Sequence, residues 1–210
     1  MVAQFSPTAI SAVAPVSICY KESEEVGKLR VPTILRPLHG ESTTPGELAL
    51  VYLTAVAFAS LVLISIQDRL AGLSVLQVGV LVMVSLDLAG GAVANLCQGT
   101  RTYWRSRNTS LRLLFLAVHV VHGIAIAFVF PEAAASVVVA YIWMVVTGSV
   151  LILTRNTSVA LALALVVIGV AVFHLPQGLE SAVGLVLTVF LIKLVFSFSG
   201  GPAVQGQSAP

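Results

Sequence analysis

The chain has 210 residues, of which 58% are apolar and only 10% charged, and its mean hydropathy is +1.01. Soluble domains carry about 25% charged residues, so this composition excludes an ordinary soluble domain and predicts an integral membrane protein. The formal net charge is only +2 and the basic residues lie beside the apolar stretches, so we expect no nucleic-acid partner.

Residues 1–45 differ in composition from the rest of the chain, with five prolines and the mixed-charge run KESEEVGK at 21–28. Proline interrupts regular structure and mixed charge opposes burial, so we predict a flexible cytoplasmic N-terminal extension. The mildly apolar stretch at 9–20 has no basic region before it and is interrupted by Pro15, which is not typical of a cleaved signal peptide.

Six long apolar stretches follow this extension. A bilayer core needs about 20 mostly apolar residues per helical span, and each stretch approaches or exceeds that length. They run from Leu48 to Ile66, Leu70 to about Ala94, Leu113 to Phe130, Ala133 to Leu153, Val159 to Leu175, and Ser181 to about Phe198. Because backbone amides in lipid must find partners within their own segment, we predict an all-α polytopic membrane protein. Its six-helix transmembrane domain is 46–199, and 200–210 form a flexible cytoplasmic tail.

The basic residues predict the orientation, because cytoplasmic loops collect Lys and Arg. One side of the predicted bundle carries Lys21, Lys28, Arg30, Arg36, Arg101, Arg105, Arg107, Arg112 and Arg155. The other side carries Asp68, Arg69, Glu132 and Glu180. We therefore place both termini in the cytoplasm, in a plasma or inner cell membrane, and expect Lys193 to extend to the cytoplasmic membrane surface.

The loop between the second and third predicted spans carries Arg101, Arg105, Arg107 and Arg112. These arginines are interleaved with Tyr103 and Trp104, an aromatic pattern typical of a membrane interface. The simplest role of the loop is a topology signal. The alternative is a binding site for anionic lipid, since basic clusters attract anionic headgroups.

The tetrapeptide RNTS occurs at 107–110 and again at 155–158, each time before a predicted span. Its Asn, Thr and Ser side chains can cap the exposed amides at a helix start. The recurrence also raises the alternative of a duplicated hairpin, as in many transporter folds.

Asp87 is a carboxylate within an otherwise uncharged apolar stretch, SLDLAGGAVAN at 85–95. If the second span ends near Ala94, Asp87 lies about 10 Å from the cytoplasmic membrane edge. His119 lies at a similar depth on the next span, and His122 lies one turn deeper. Ionisable residues inside a membrane are functional candidates by default.

Helical spacing groups Asp87 with small residues. Asp87, Gly91 and Asn95 are four residues apart and share one helix face. Gly90 and Ala94 keep the adjacent face free of bulk, so a second helix can approach closely.

The third predicted span offers a matching face in HVVHG at 119–123. His119 and His122 are three residues apart and therefore share one face, with Gly123 beside them. We expect this face to meet that of Asp87, with Asn95 orienting the site.

Three roles for this intramembrane polar site stay open. A carboxylate and two imidazoles can form a proton relay in a small proton- or ion-linked transport protein or a subunit of one, because histidine titrates near neutral pH. His119, His122 and Asp87 can instead hold a metal, or the histidines a haem, in a redox or lipid-modifying enzyme. They can also simply join helices by hydrogen bonds in an assembly protein.

Sequence motifs of soluble catalysis are missing from the chain, which contains no phosphate-binding loop, no H-E-x-x-H and no G-x-S-x-G. We therefore expect no cofactor and favour a non-enzymatic role. Neither a substrate nor an oligomeric state follows from the sequence.

Overall fold

The computed structural model describes residues 27–155, 158–174 and 181–200. An N-terminal segment contains strands β1 (Leu29–Arg30) and β2 (Ser42–Thr43), which pair antiparallel with Leu29 opposite Thr43, a 3-10 turn (Thr33–Leu35) and helix α1 (Arg36–His39). The remaining helices are α2 (Pro45–Ser65), α3 (Val75–Ala94), α4 (Gln98–Arg105), α5 (Thr109–Val118), α6 (Val120–Val129), α7 (Ala134–Leu153), α8 (Val159–His174) and α9 (Ser181–Leu191). A π-helix (Ile192–Ser199) continues α9, and 3-10 turns at Gln67–Gly72 and Pro131–Ala133 follow α2 and α6.

Within the described residues, five helical segments are long and apolar enough to cross a membrane. These are Pro45–Ser65, Val75–Ala94, Thr109–Val129, Pro131–Leu153 and Ala182–Ser199. Val159–Val172 is also apolar but shorter, and it lies where the sequence predicts the fifth span. The protein is therefore helical with helices of membrane-spanning length, while the number of spans and their orientation stay predictions.

The long helices begin at residues whose side chains accept hydrogen bonds from the free amides of the first turn. Thr44 and Glu47 form a reciprocal capping box at the start of α2, and Ser74 and Gln77 form another at the start of α3. Asn108 accepts a hydrogen bond from the Leu111 amide at 2.8 Å, as the RNTS pattern predicted for the start of α5.

The segment formed by α9 and the π-helix is the most enclosed of the five candidate spans. It packs against α2, α3, α7 and α8, and Phe190, Leu191 and Leu194 are almost completely buried. The other helices expose large apolar side chains such as Leu53 and Ile124 on their outer faces. Such surfaces suit contact with lipid and explain why the core forms around the last span.

Residues 27–44 are folded and packed on α4, in contrast to the flexible extension that the sequence predicts for 1–45. Trp104 donates from its indole N–H to the carbonyl of Pro37 at 2.8 Å, and Thr100 donates to the carbonyl of Leu38 at 2.9 Å. The backbones of Gly40 and Gly99 lie so close that a Cβ on either would collide with backbone atoms. Two glycines far apart in sequence therefore permit the docking, and residues 1–26 lie outside the described part of the chain.

The connections between helices lie at two opposite ends of the bundle. At one end, Arg69 after α2 donates to Glu132 after α6 at 2.7 Å, and Gln77 donates to the carbonyl of Phe128 at 3.3 Å. At the other end lie α4 and the docked N-terminal segment. Glu132 and the basic loop are thus at opposite ends of the bundle, and Glu180 lies outside the described residues.

Candidate functional site

Asp87 is bound by side chains from two other helical segments. Its Oδ2 accepts a hydrogen bond from His122 Nε2 of α6 at 2.5 Å and another from Lys193 Nζ of the π-helix. The sequence predicts that Asp87 meets His122, and the two residues are in contact. The lysine is an additional member that sequence reasoning did not place there.

The expectation that Lys193 extends to the membrane surface is wrong. The residue is only 3% exposed, and its ammonium group pairs with Asp87. A buried ammonium needs an opposite charge and hydrogen bonds, and Asp87 supplies both. The lysine therefore turns into the bundle instead of away from it.

The α3 face that combines Asp87, Gly91 and Asn95 contacts Lys193 along its whole length. The Asp87 carboxylate binds the ammonium group, and the Asn95 amide donates to the Lys193 backbone carbonyl at 3.3 Å. Between them, a Cβ on Gly91 would collide with Cε of the lysine. Gly91 thus makes room for the side chain. Asn95 positions the lysine backbone and does not contact the carboxylate.

The small residues on the neighbouring faces lie at helix contacts. A Cβ on Gly90 would be 3.2 Å from Ala55 of α2, and one on Gly123 would be 3.3 Å from Val137 of α7. Ala94 is almost completely buried. These positions bring helices together, whereas Gly91 accommodates the Lys193 side chain.

His119 lies at the break between α5 and α6. Its Nδ1 donates to the carbonyl of Phe115 at 2.6 Å, which requires the proton to be on Nδ1 because a carbonyl can only accept. Its ring stacks on that of His122, with 4.8 Å between centroids and 12° between planes. His119 therefore joins the cluster through His122 and supports that ring from one side.

Helix geometry is irregular on two of the segments that form the site. Around His119 two backbone hydrogen bonds span three residues instead of four, from His119 N to the carbonyl of Leu116 and from His122 N to the carbonyl of His119. The hydroxyl of Tyr141 satisfies the carbonyl of Ala117 at 2.8 Å. Lys193 lies in a π-helix, a rare geometry that is frequent at functional sites.

The three side chains differ in access from outside the bundle. Asp87 is 44% exposed and His122 19%, whereas Lys193 is 4% exposed. Among the described residues, Nδ1 of His122 is buried and has no hydrogen-bond partner. A carboxylate that keeps an open side, next to an imidazole with an unused nitrogen, can exchange a proton between the two groups.

Asp87, His119 and His122 also present possible metal ligands, since one ligand atom from each lies within 4.8 Å of the others. The chemistry of the set does not favour a cation, because the ammonium group of Lys193 binds the same carboxylate and repels positive charge. His119 Nδ1 is engaged with Phe115, which leaves only Nε2 for ligation.

The arginines of the basic loop are in two different environments. Arg107 stacks over the ring of Tyr103, at 4.3 Å from its centroid. Arg101, Arg105 and Arg112 instead line a small pocket beside Ser197 of the π-helix. This separation is not visible in the sequence, where the four arginines form one group.

The chain has two other histidines, His39 and His174. His39 is buried in the N-terminal segment, where its Nε2 contacts the hydroxyl of Tyr52 at 3.0 Å, and burial lowers its pKa. His174 ends α8, and its side chain lies outside the described part of the structure.

Sequence reasoning missed Lys193 although the signal that identified Asp87 was also present there. Lys193 is the single charged residue in the apolar stretch from 181 to 199. Two opposite charges in separate spans predict a pair, because each alone is costly in lipid.

Comparison of the chain with protein-family models, with curated proteins and with solved structures finds no match in any of the three. A function for this protein is therefore inferred from the chemistry of the site.

Proposed function

We propose that this protein is a small proton-linked transport protein of a cell membrane, or a subunit of one. In this proposal it has six spans with both termini in the cytoplasm, and Asp87, His122 and Lys193 form its proton-exchanging site. The observation that carries the proposal is the Asp87 carboxylate, which lies within an apolar helix and is bound at once by an imidazole and an ammonium group.

The cluster can couple a proton to helix packing. A proton that binds Nδ1 of His122 allows the proton on Nε2 to pass to Oδ2 of Asp87. Asp87 then becomes neutral, and Lys193 loses its counter-charge in an apolar environment. An unpaired buried charge is costly, so the π-helix that carries the lysine and α3 would favour a different arrangement. Loss of the proton from Asp87 restores its ion pair with Lys193, and a shift of the His122 proton from Nδ1 back to Nε2 returns the cluster to its starting state.

Two structural features support transport over a purely mechanical role. The helix break at His119 and the π-helix at Lys193 put irregular backbone beside the charged groups, an arrangement that transporters use around their binding sites. The Asp87 side chain is also 44% exposed, so its carboxylate keeps an open side through which a proton can leave or arrive.

Proton flux into liposomes tests this function. The purified protein is reconstituted with a pH-sensitive dye inside, and a pH gradient is applied under a potassium-valinomycin clamp. We expect flux above that of empty liposomes for the wild type and none for Asp87→Asn. Glu132→Gln removes the carboxylate of the loop ion pair instead and should retain the flux.

Equal flux in the wild type and Asp87→Asn would contradict the proposal. If both variants fold and the wild type shows no flux under any gradient, the assembly role becomes the better explanation. Metal analysis of the purified protein addresses the enzyme alternative, because a stoichiometric metal that His122→Ala removes would favour it over proton exchange.

Fusion of a reporter that is active only in the cytoplasm tests the orientation. We expect activity from a fusion after Pro210 and none from a fusion inserted after Arg69. The opposite pattern would contradict the proposed topology.

A further inference from the structure

A small polar pocket lies at the basic end of the bundle, between α4, the start of α5 and the π-helix. Its lining includes Arg101, Arg105 and Arg112 together with Trp104 and Ser197. None of the described residues that line it is acidic. The lining residues do not include Asp87, His122 or Lys193, and Asn95, which lines the pocket, also donates to the Lys193 carbonyl.

Ser197 contributes an unused hydrogen-bonding group to this pocket. The residue is 2% exposed, and its Oγ has no hydrogen-bond partner within the described structure. The buried Nε of Arg112 is likewise without a partner there. Buried polar groups in native proteins are almost always satisfied, so two unused groups beside one pocket indicate a ligand that satisfies them.

The electrostatics of the pocket favour an anion. Burial lowers the pKa of Arg101, and burial together with the charge of Arg101 lowers that of Arg105. The positive charge of Arg101 therefore disfavours that of Arg105. An anion between them would relieve this repulsion, and phosphate matches the forked geometry of guanidinium groups.

The size of the pocket limits what enters it. Its volume of about 10 Å³ holds one water-sized group, which corresponds to a single oxygen atom and not to a whole phosphate. The remaining oxygens would lie at the mouth, among the arginines. Trp104 is fixed by its hydrogen bond to Pro37 and forms a rigid wall beside them.

We propose that Arg101, Arg105 and Arg112 bind a phosphate group, one oxygen of which accepts a hydrogen bond from Ser197. The pocket lies where α5 begins as a candidate membrane span, so the topology proposed above puts it at the level of lipid headgroups. An anionic phospholipid can supply this phosphate from the adjacent leaflet, and free phosphate can supply it from solution. Arg107 lies outside the pocket on Tyr103 and takes no part.

Tryptophan fluorescence measures this binding, because Trp104 lines the pocket. The chain has two tryptophans, so a Trp143→Phe background leaves Trp104 as the reporter. The protein in uncharged detergent is titrated with inorganic phosphate against chloride of equal ionic strength. A second titration uses phosphatidic acid, with diacylglycerol as the lipid that lacks phosphate.

We expect a saturable response to a phosphate-bearing ligand. Arg112→Gln should weaken binding by roughly tenfold or more, because it removes a charge-assisted hydrogen bond. Arg107→Gln removes the same charge outside the pocket and should leave the affinity within about twofold. Ser197→Ala should weaken binding about threefold or more. If Arg112→Gln does not fold, the affinity of Ser197→Ala tests the proposal in its place.

The two titrations distinguish the source. Saturation by phosphatidic acid alone identifies a lipid headgroup, and equal saturation by inorganic phosphate identifies free phosphate. The proposal is overturned if neither ligand saturates, or if Arg107→Gln weakens binding as much as Arg112→Gln, which would mean that only the overall charge matters.

Discussion

Two ion pairs in this protein have the same chemistry and opposite surroundings. Arg69 and Glu132 join two connections at one end of the bundle, and their side chains are 47% and 54% exposed. Lys193 and Asp87 join two helices within the bundle, and the lysine is only 4% exposed. The first pair can exchange its partner for water, whereas the ammonium group of the second cannot.

The difference shows that location determines what an ion pair contributes. An exposed pair stabilises a protein by about 1 kcal/mol or less, because water solvates either partner when the other is removed. Breaking a buried pair costs about 3–5 kcal/mol, because one charge stays behind without solvation. A change in the protonation of Asp87 therefore has consequences for packing that a change at Glu132 does not.

The largest expected effect on stability comes from removing the Asp87 carboxylate, and removal of the Glu132 carboxylate is the comparison. Asp87→Asn should lower the free energy of unfolding by about 3 kcal/mol, the low end for a buried pair since the carboxylate is half exposed. Glu132→Gln should lower it by less than about 1 kcal/mol. Thermal unfolding in one detergent compares the two variants, and equal losses would abolish the contrast between the pairs.

A second substitution should rescue the first at the buried pair. Lys193→Met keeps much of the side-chain length but removes the charge, so Asp87→Asn with Lys193→Met should recover about 2 kcal/mol of the loss. The same unfolding measurement reports the recovery. Additive losses in the double variant would show that the two side chains do not depend on each other.

The glycine beside the lysine provides a third comparison. A Cβ on Gly91 would collide with Cε of Lys193, so Gly91→Ala should lower stability by about 1.5 kcal/mol. Gly79 on the same helix has no neighbour within 4 Å of such a Cβ, and Gly79→Ala should raise stability by about 0.5 kcal/mol. Unfolding midpoints that move in the same direction would contradict the close contact at Gly91.

The smallest expected effect concerns His39, a buried histidine whose partner, the Tyr52 hydroxyl, is neutral. Its pKa is lowered by burial, so the folded state binds the proton more weakly than the unfolded chain. The stability of the docked segment is therefore present above the ordinary histidine value of about 6.5 and is lost as the pH falls below it.

Tryptic cleavage after Arg30 reports this loosening, once rates are corrected with a peptide substrate at each pH. His39→Gln keeps a donor for Tyr52 without a titrating group, and the acid-induced rise in cleavage should disappear. A rise of the same size in the variant would assign the pH dependence to another group.

Sequence patterns predicted the helices and part of the site for identifiable reasons. The apolar stretches, the caps at Asn108 and the shared face of Asp87, Gly91 and Asn95 depend on residues close together in the chain. The pairing of Asp87 with Lys193, which are 106 residues apart, depends on how distant helices align, and periodicity carries no such information.

The docking of residues 27–44 escaped sequence analysis for a related reason. It requires Gly40 and Gly99 to come into contact, and neither glycine is unusual within its own segment. The composition of the extension indicated flexibility, whereas hydrogen bonds from Thr100 and Trp104 to its backbone fix it.

The contact between Lys193 and Asp87 in a lipid bilayer is the most direct test of this account. The chain contains only two aspartates and three lysines, so ¹⁵N-lysine with ¹³C-carboxyl aspartate gives a selectively labelled protein for solid-state NMR. We predict strong dipolar coupling between one ammonium nitrogen and one carboxyl carbon, and its complete loss in Lys193→Met. Missing coupling in the wild type, or coupling that persists in Lys193→Met, would contradict the buried ion pair on which the proposed function depends.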